Sequence, residues 1–207
     1  MGSDALLERG VEMFKVMKSF VIGLIAVMVL SAAGDASAVG RHGLRLSLYD
    51  NHDAGWDGED WESIQPWSDG PVGSRCAYNI VQNIDFNFTS GIGSCPTDEE
   101  DDGGVYDLLA NFTGYMRVPR TGVYTLYARV DDGFYLKVGR DVVLQDWEDQ
   151  GADDYNVQGT VTLRRGRPYK VDAWYYENGG GNDVHLYYSM NGSEPVIVPS
   201  RWFSLRP

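Results

Sequence analysis

The residues in this sequence best suited to chemistry are two adjacent carboxylates, Asp131 and Asp132, which are followed by Gly133. Neighbouring carboxylates repel each other and lose hydration when they are crowded together, so a site that presents both usually contains a cation. Carboxylate oxygens are hard ligands, which favours Ca²⁺ before Mg²⁺. Asp-Asp-Gly is equally typical of a tight hairpin turn, because turns require Asp and Gly. The pair by itself therefore predicts either a cation site or a turn.

Alternating apolar residues flank the aspartate pair on both sides, as expected of two half-buried strands at residues 124–130 and 134–138. Similar alternation recurs along the chain between turns of Gly, Asn, Asp and Pro. No long helix, parallel βαβ rhythm or fixed-period repeat accompanies it. The pattern predicts an all-β protein, an antiparallel β-sandwich of Greek-key or jelly-roll type.

The N-terminal segment has the composition of an export signal. Lys18 precedes an apolar run at residues 20–30, and small residues follow as far as Ala38. The run is short for a membrane span, so we expect residues 1–38 to be a cleaved signal peptide, with an uncleaved anchor as the alternative. Residues 39–207 would then form one secreted or surface-exposed domain with its core at residues 43–203, without membrane insertion after cleavage.

The charge balance limits the classes of partner. The 207-residue chain carries a formal net charge of −13, and nearly all of it lies after the expected signal peptide. An acidic protein repels nucleic-acid phosphates and anionic lipid headgroups. The composition therefore disfavours nucleic acid and membrane surfaces and favours cations and neutral polar ligands.

Covalent modification is expected at five positions. Cys76 and Cys95 are the two cysteines, and an exported protein is expected to join them in a disulfide. Asn87, Asn111 and Asn191 each begin an Asn-X-Ser/Thr glycosylation sequon. The strand alternation predicts that Asn87 and Asn111 point to solvent.

Two further segments have more than one interpretation. Trp56, Trp61 and Trp67 lie in a long loop rich in Gly and acidic residues, where they form either a sugar-stacking surface or a cover over the core. Three successive glycines at residues 179–181 let backbone carbonyls approach a ligand closely, or they form a flexible hairpin tip.

Catalysis is not expected. A glycosidase places its two acids opposite each other across a cleft, whereas Asp131 and Asp132 are adjacent in sequence. His42, His52 and His185 are scattered, and the sequence has neither a Gly-X-Ser-X-Gly elbow nor a Cys/His cluster with zinc spacing. The residues therefore indicate a binding protein.

A series of short motifs between Gly43 and Phe203 resembles the domain named after anthrax protective antigen. The motifs occur in order and cover nearly all of the chain after the expected signal peptide. They are FTGY at 112–115, GVYTL at 122–126, DDG at 131–133, LKV at 136–138, DW at 146–147, VTL at 161–163, GRPY at 166–169, Glu177 and LYY at 186–188.

The resemblance implies a β-sandwich found in secreted toxins, glycosidase accessory modules, yeast flocculins, epithelial adhesins and bacterial surface adhesins. In the lectin-like members, two aspartates joined by a cis peptide hold one calcium ion, together with an Asn side chain and backbone carbonyls of a later loop. Neighbouring hydroxyls of the sugar then ligate the ion.

Carried over residue by residue, the resemblance assigns Asp131 and Asp132 to the metal, with Asn178 as the Asn ligand and Gly180 and Asn182 as carbonyl donors. Asp131, Asp132, Asn182 and the neighbouring Asp183 would also face the sugar. The implied function is a calcium-dependent carbohydrate-binding module, lectin-like or adhesin-like, whose partners are cell-surface glycans. The alternative is a glycosylated structural subunit that self-assembles into an extracellular filament or coat without binding sugar.

Overall fold

Two antiparallel β-sheets pack face to face in the computed structural model, which describes residues 42–50, 63–88, 108–155 and 157–207. The strands are β1 Leu44–Asp50, β2 Ser74–Val81, β3 Asp85–Asn87, β4 Leu108–Met116, β5 Gly122–Val130, β6 Phe134–Val138, β7 Asp141–Asp146, β8 Val157–Leu163, β9 Tyr169–Glu177, β10 Asp183–Met190, β11 Val196–Ile197 and β12 Phe203–Ser204. A short helix, α1, covers Pro66–Asp69, and a 3₁₀ turn covers Ser200–Trp202. Sheet I has the strand order β2-β1-β4-β9-β6-β7, with β12 also paired to β4. Sheet II has the order β11-β10-β5-β8, with β3 also paired to β10.

The main core lies between the sheets and follows the alternation of the sequence. In β5, Tyr124, Leu126, Ala128 and Val130 are fully buried, while the residues between them are partly exposed. The inward residues of β4, β6 and β10 meet them from the facing and neighbouring strands. The prediction of an antiparallel β-sandwich is confirmed.

The connection through Asp131 and Asp132 crosses from one sheet to the other. Strand β5 pairs with β8 and β10 in sheet II, whereas β6 pairs with β7 and β9 in sheet I. The hairpin-turn interpretation of Asp-Asp-Gly is therefore wrong, because the strands on its two sides are not hydrogen-bonded partners. The hairpin-tip interpretation of residues 179–181 is wrong for the same reason, since β9 belongs to sheet I and β10 to sheet II.

A second, smaller apolar cluster covers the outer face of sheet I. The segment that contains α1 packs on it, and Trp67 stacks on Tyr135 with their ring centroids 4.1 Å apart and the planes 4° from parallel. Trp67 thus covers buried side chains, while Trp56 and Trp61 lie outside the described residues. The buried members of this cluster are Ile64, Leu109, Tyr135, Trp147, Trp174 and Tyr176.

The structure describes the asparagines of all three predicted glycosylation sequons. Asn87 and Asn191 are exposed. Asn111 is only 9% exposed, and its Nδ2 donates to Asp172 Oδ1 and to the Ala173 carbonyl, both at 3.0 Å. The solvent-facing orientation predicted for Asn111 is therefore wrong, because β4 is a central strand and its neighbour β9 holds the amide.

The export and disulfide predictions stay untested. The expected signal peptide at residues 1–38 lies outside the described residues, and so does Cys95, while Cys76 is part of β2. Within the described part of the chain, no helix has the length and apolar content needed to cross a membrane.

We predict that Gly159→Ala destabilises the domain. Gly159 lies on edge strand β8, and an added Cβ would overlap the backbone carbonyl of Val143 on β7, which cannot move without disturbing the other sheet. Overpacking of this kind costs about 1–3 kcal/mol of the free energy of unfolding, measured by urea denaturation. Gly151→Ala is the matched control, because its Cβ would have no neighbour within 4 Å; equal stability of the two variants would contradict the prediction.

Candidate metal centre

Three connections that cross between the sheets meet at one end of the sandwich. They are the β5–β6 connection with the two aspartates, the β7–β8 connection at residues 147–156 and the glycine-rich β9–β10 connection. Gln150 N of the β7–β8 connection and Asn178 N of the β9–β10 connection both donate hydrogen bonds to the Asp132 carboxylate. Segments far apart in sequence are thereby joined around one carboxylate.

The backbone of the aspartate pair bridges the two sheets. The Asp131–Asp132 peptide bond is cis, as the resemblance implies. Asp131 N donates to the carbonyl of Asp183 at 3.0 Å, where β10 begins, and Asp132 N donates to the carbonyl of Tyr176 at 3.2 Å in β9. Gly133 follows because a Cβ there would overlap the Tyr176 ring.

The Asp132 carboxylate is buried and held in one orientation. The residue is 5% exposed, Oδ1 accepts from Gln150 N at 2.9 Å, and Oδ2 accepts from Asn178 N at 2.8 Å. Backbone N–H groups bonded to a carboxylate favour its ionised form. Both oxygens nevertheless keep a lone pair for a further partner.

A third carboxylate, Glu177, completes the cluster. Glu177 is fully buried, and one oxygen each of Asp131, Asp132 and Glu177 lies within 4.8 Å of the others. Sequence reasoning gave Glu177 no role as a ligand. The available signal was its position as the last residue of an alternating strand, directly before the predicted ligand Asn178.

A tyrosine hydroxyl links Glu177 to the aspartate pair. Tyr175 Oη lies 2.6 Å from the Asp131 carbonyl and 3.1 Å from Glu177 Oε2, and Gly179 N donates to Glu177 Oε1 at 2.8 Å. The hydroxyl has one proton and the Asp131 carbonyl is an acceptor only. When Tyr175 donates to that carbonyl, a hydrogen bond to Glu177 requires the proton to come from the Glu177 carboxyl.

Burial raises the pKa of each carboxyl in the cluster, and the charges of neighbouring acids raise it further. Desolvation, followed by the charge of Asp132, raises the pKa of Glu177 to about 9. Desolvation also raises the pKa of Asp132 to about 6, with the charges of Asp131 and Asp149 adding to it and the bonds from Asn178 and Gln150 opposing it. The pKa of Asp131 is raised, again by desolvation first.

The cluster fits a hard divalent cation. The charged groups that shift the pKa values of Asp132 and Glu177 are all other acids, so no described side chain neutralises these two. The donor set consists of oxygens alone, which is the set that calcium prefers. Gly181 leaves space beside the cluster, because a Cβ there would overlap Asp131 Oδ2.

Comparison with known proteins identifies the fold. The profile of the PA14 domain matches residues 82–202. This chain belongs to the PA14 domain family. The resemblance seen in the sequence, to the domain named after protective antigen, is thereby confirmed.

Relatives of this PA14 domain occur in several settings. Anti-sigma-I factor RsgI3 from Acetivibrio thermocellus is 22% identical over 67% of this chain, which spans only 20% of that protein's length. An anti-sigma factor domain-containing protein from Clostridium clariflavum shares the fold with a TM-score of 0.59 and 21% identity, over 78% of this chain and 46% of that one. The PA14 sugar-binding domain from an RTX adhesin shares it with a TM-score of 0.59 and 20% identity, over 80% of this chain and 99% of that one. The epithelial adhesin 6 A domain from Candida glabrata, in complex with Galβ1-3GlcNAc, shares it with a TM-score of 0.54 and 15% identity, over 80% of this chain and 87% of that one.

The remaining predicted ligands of the PA14 domain lie in the β9–β10 connection. Asn178 Nδ2 donates to Asp149 Oδ2 at 2.8 Å, so this side chain also contacts the β7–β8 connection. Gly180 has a φ of +98°, which suits glycine. Asn182 is 4% exposed, and its carbonyl accepts from Phe88 N at 3.0 Å. Metal ligation by these three residues stays a prediction.

Asp183 lies at the start of β10 and is engaged by other side chains. Its Oδ1 accepts from Asn87 Nδ2 at 2.7 Å and its Oδ2 from Arg129 Nη2 at 3.2 Å. His185 Nε2 lies 3.4 Å from Oδ1. A role for Asp183 in contacting sugar stays a prediction, and these bonds also let it position the connection beside it.

We predict that the metal-free domain loses stability as the pH rises. Asp132 and Glu177 have folded-state pKa values of about 6 and 9 against ordinary values of 3.8 and 4.5, so the folded state binds more protons between those limits. The free energy of unfolding, measured with chelator present, should fall from about pH 4 to pH 9. Glu177→Gln should remove most of the fall above pH 6, and an unchanged slope in that variant would contradict the assignment.

Proposed function

We propose that this PA14 domain is an extracellular calcium-dependent carbohydrate-binding module. The observation that carries the proposal is the group of three crowded carboxylates at one end of the sandwich, of which Asp132 and Glu177 are buried and Asp131 is half-buried. Asp131 is less buried than the other two, so the cluster is reached from its side. A structural subunit of a filament or coat remains the alternative from the sequence.

The three carboxylates are the residues proposed to hold the ion. Asn178, Gly180 and Asn182 of the β9–β10 connection would supply further oxygens, and calcium accepts six to eight oxygen ligands. Bound there, the ion would offset the negative charge and offer free coordination positions to adjacent hydroxyls of a sugar. The protein itself orients the carboxylates, since Gln150 N and Asn178 N hold Asp132 and Gly179 N holds Glu177.

Related structures support the choice of ligand class. The RTX adhesin neighbour is described as a sugar-binding domain, and epithelial adhesins 6 and 9 are complexes with Galβ1-3GlcNAc. Sugar binding and a surface location are therefore proposed for this chain by analogy. This chain spans less than half of the anti-sigma relatives, so the function of those larger proteins is not carried over to it.

A binding role is also proposed in preference to catalysis. The carboxylates of Asp132 and Glu177 are held by backbone N–H groups within one cluster, which suits ligands. A hydrolase needs one acid on each side of the scissile bond. Incubation with polysaccharide should therefore leave the chain length of the polysaccharide unchanged.

We predict that calcium stabilises the wild-type domain and that Asp131→Asn with Asp132→Asn abolishes this effect. Extracellular calcium modules have Kd values of about 10⁻⁴ to 10⁻³ M, and calcium at 100 times Kd raises the free energy of unfolding by about 2.7 kcal/mol. Thermal denaturation and isothermal calorimetry measure both quantities. Asp153→Asn with Asp154→Asn is the matched control, since it removes two adjacent exposed aspartates of the same loop system. No calcium uptake by the wild type would end the proposal.

We predict that Glu177→Gln weakens calcium binding by about tenfold, because site affinity follows the number of charged ligands. The substitution keeps the shape of the side chain, so the fold should persist. Calorimetry at pH 7 gives the Kd of both proteins. Equal Kd values would show that Glu177 is a buried neighbour of the site and contributes nothing to the affinity for calcium.

We predict that the wild type gives a signal on a glycan array that requires calcium. The array is probed once with calcium and once with chelator, beside the two aspartate double variants. Binding that needs both calcium and the Asp131–Asp132 pair supports the proposed function. Calcium uptake without any calcium-dependent glycan signal would leave a structural metal site and exclude the calcium-dependent lectin function.

A further inference from the structure

A polar pocket lies on the outer side of sheet I, away from the core between the sheets. Its volume is about 250 Å³. It is placed where the α1 segment meets the end of edge strand β7 and the start of the β7–β8 connection. The residues that line it are Gln65, Trp67, Gln145, Asp146, Trp147 and Glu148.

The aromatic side of this pocket is fixed by packing. Trp67 stacks on Tyr135, and Trp147 meets Trp67 edge to face, with centroids 5.0 Å apart and planes at 88°. Trp147 also packs against Tyr176, with their centroids 4.7 Å apart. Rings held on several sides cannot collapse into the space, so the pocket is formed before any ligand arrives.

The polar side chains of the pocket are suited to hydroxyl groups. Gln65, Gln145 and Glu148 are exposed, and Asp146 is half-buried. Carboxylates accept hydrogen bonds and carboxamides both donate and accept, which matches sugar hydroxyls that do both. Among the lining residues that the structure describes, none is basic and two are acidic, so phosphate, sulfate and carboxylate ligands are disfavoured there.

We propose that this pocket binds a neutral sugar residue directly, without a metal ion, as a second saccharide subsite of the domain. It does not depend on the calcium-dependent function proposed above. The two sites share one connection: Trp147 lines the pocket, and three residues later Gln150 N holds Asp132. Between them, Asp149 accepts from Tyr176 Oη at 2.8 Å and from Asn178 Nδ2 at 2.8 Å.

The test uses the full chain on an array of neutral oligosaccharides that includes gluco-, xylo-, manno- and galacto-hexasaccharides, with EDTA throughout. The wild type should retain a signal, and Gln65→Ala with Glu148→Ala should lower the affinity for the bound oligosaccharide about tenfold or more, by titration of tryptophan fluorescence. Both positions are exposed, so folding is preserved. The matched control is Gln158→Ala with Glu194→Ala, an exposed pair elsewhere on the surface.

Asp131→Asn with Asp132→Asn separates this inference from the proposed function. That variant should keep the EDTA-resistant signal while losing any calcium-dependent one. Retention of the EDTA-resistant signal in a protein that shows no calcium effect would defeat the calcium proposal and uphold the second subsite. The inference is overturned if the wild type binds nothing in EDTA, if the Gln65/Glu148 variant binds like the wild type, or if that variant loses calcium uptake instead of sugar.

Discussion

The crowding of three acidic side chains at the crossing between the two sheets is the constraint on which the rest of this end of the molecule depends. Asp132 and Glu177 are almost entirely removed from water, and their neighbouring charges are negative. Burying a charge is unfavourable unless partners compensate it. Backbone N–H groups supply part of the compensation, and the remainder is either protonation, as the raised pKa values indicate, or a cation.

The arrangement follows from how the connections run. Each of β5, β7 and β9 passes its chain to the opposite sheet at this end of the sandwich, so the three loops are brought together. Asp132 accepts from two of these loops and therefore ties them to the third. The carboxylate that repels its neighbours is thus also the group that holds the loops in place, and a metal ion and the loop geometry would stabilise each other.

The outer face of sheet I shows how the same loop system reaches a second surface. Trp147 belongs to the smaller apolar cluster on this face, whereas Gln150 donates a hydrogen bond to Asp132 in the acidic cluster. Tyr176 connects them, because its ring packs on Trp147 and its hydroxyl donates to Asp149. The β7–β8 connection is therefore packed from both sides.

Alternation in the sequence was sufficient to predict most strands, the all-β class and the inward residues of β5, because side chains on a strand point to opposite faces in turn. The adjacent aspartates likewise indicated where the acidic cluster lies. Alternation does not say which strands are neighbours, so only the tertiary structure decided that β5 and β6 belong to different sheets. The tertiary structure also decided that Asn111 is covered by β9 and that Glu177 lies beside Asp131 and Asp132, which precede it by about 45 residues. Burial and charge clustering depend on contacts between segments that are distant in sequence. Local residue patterns carry no information about which of these segments come together.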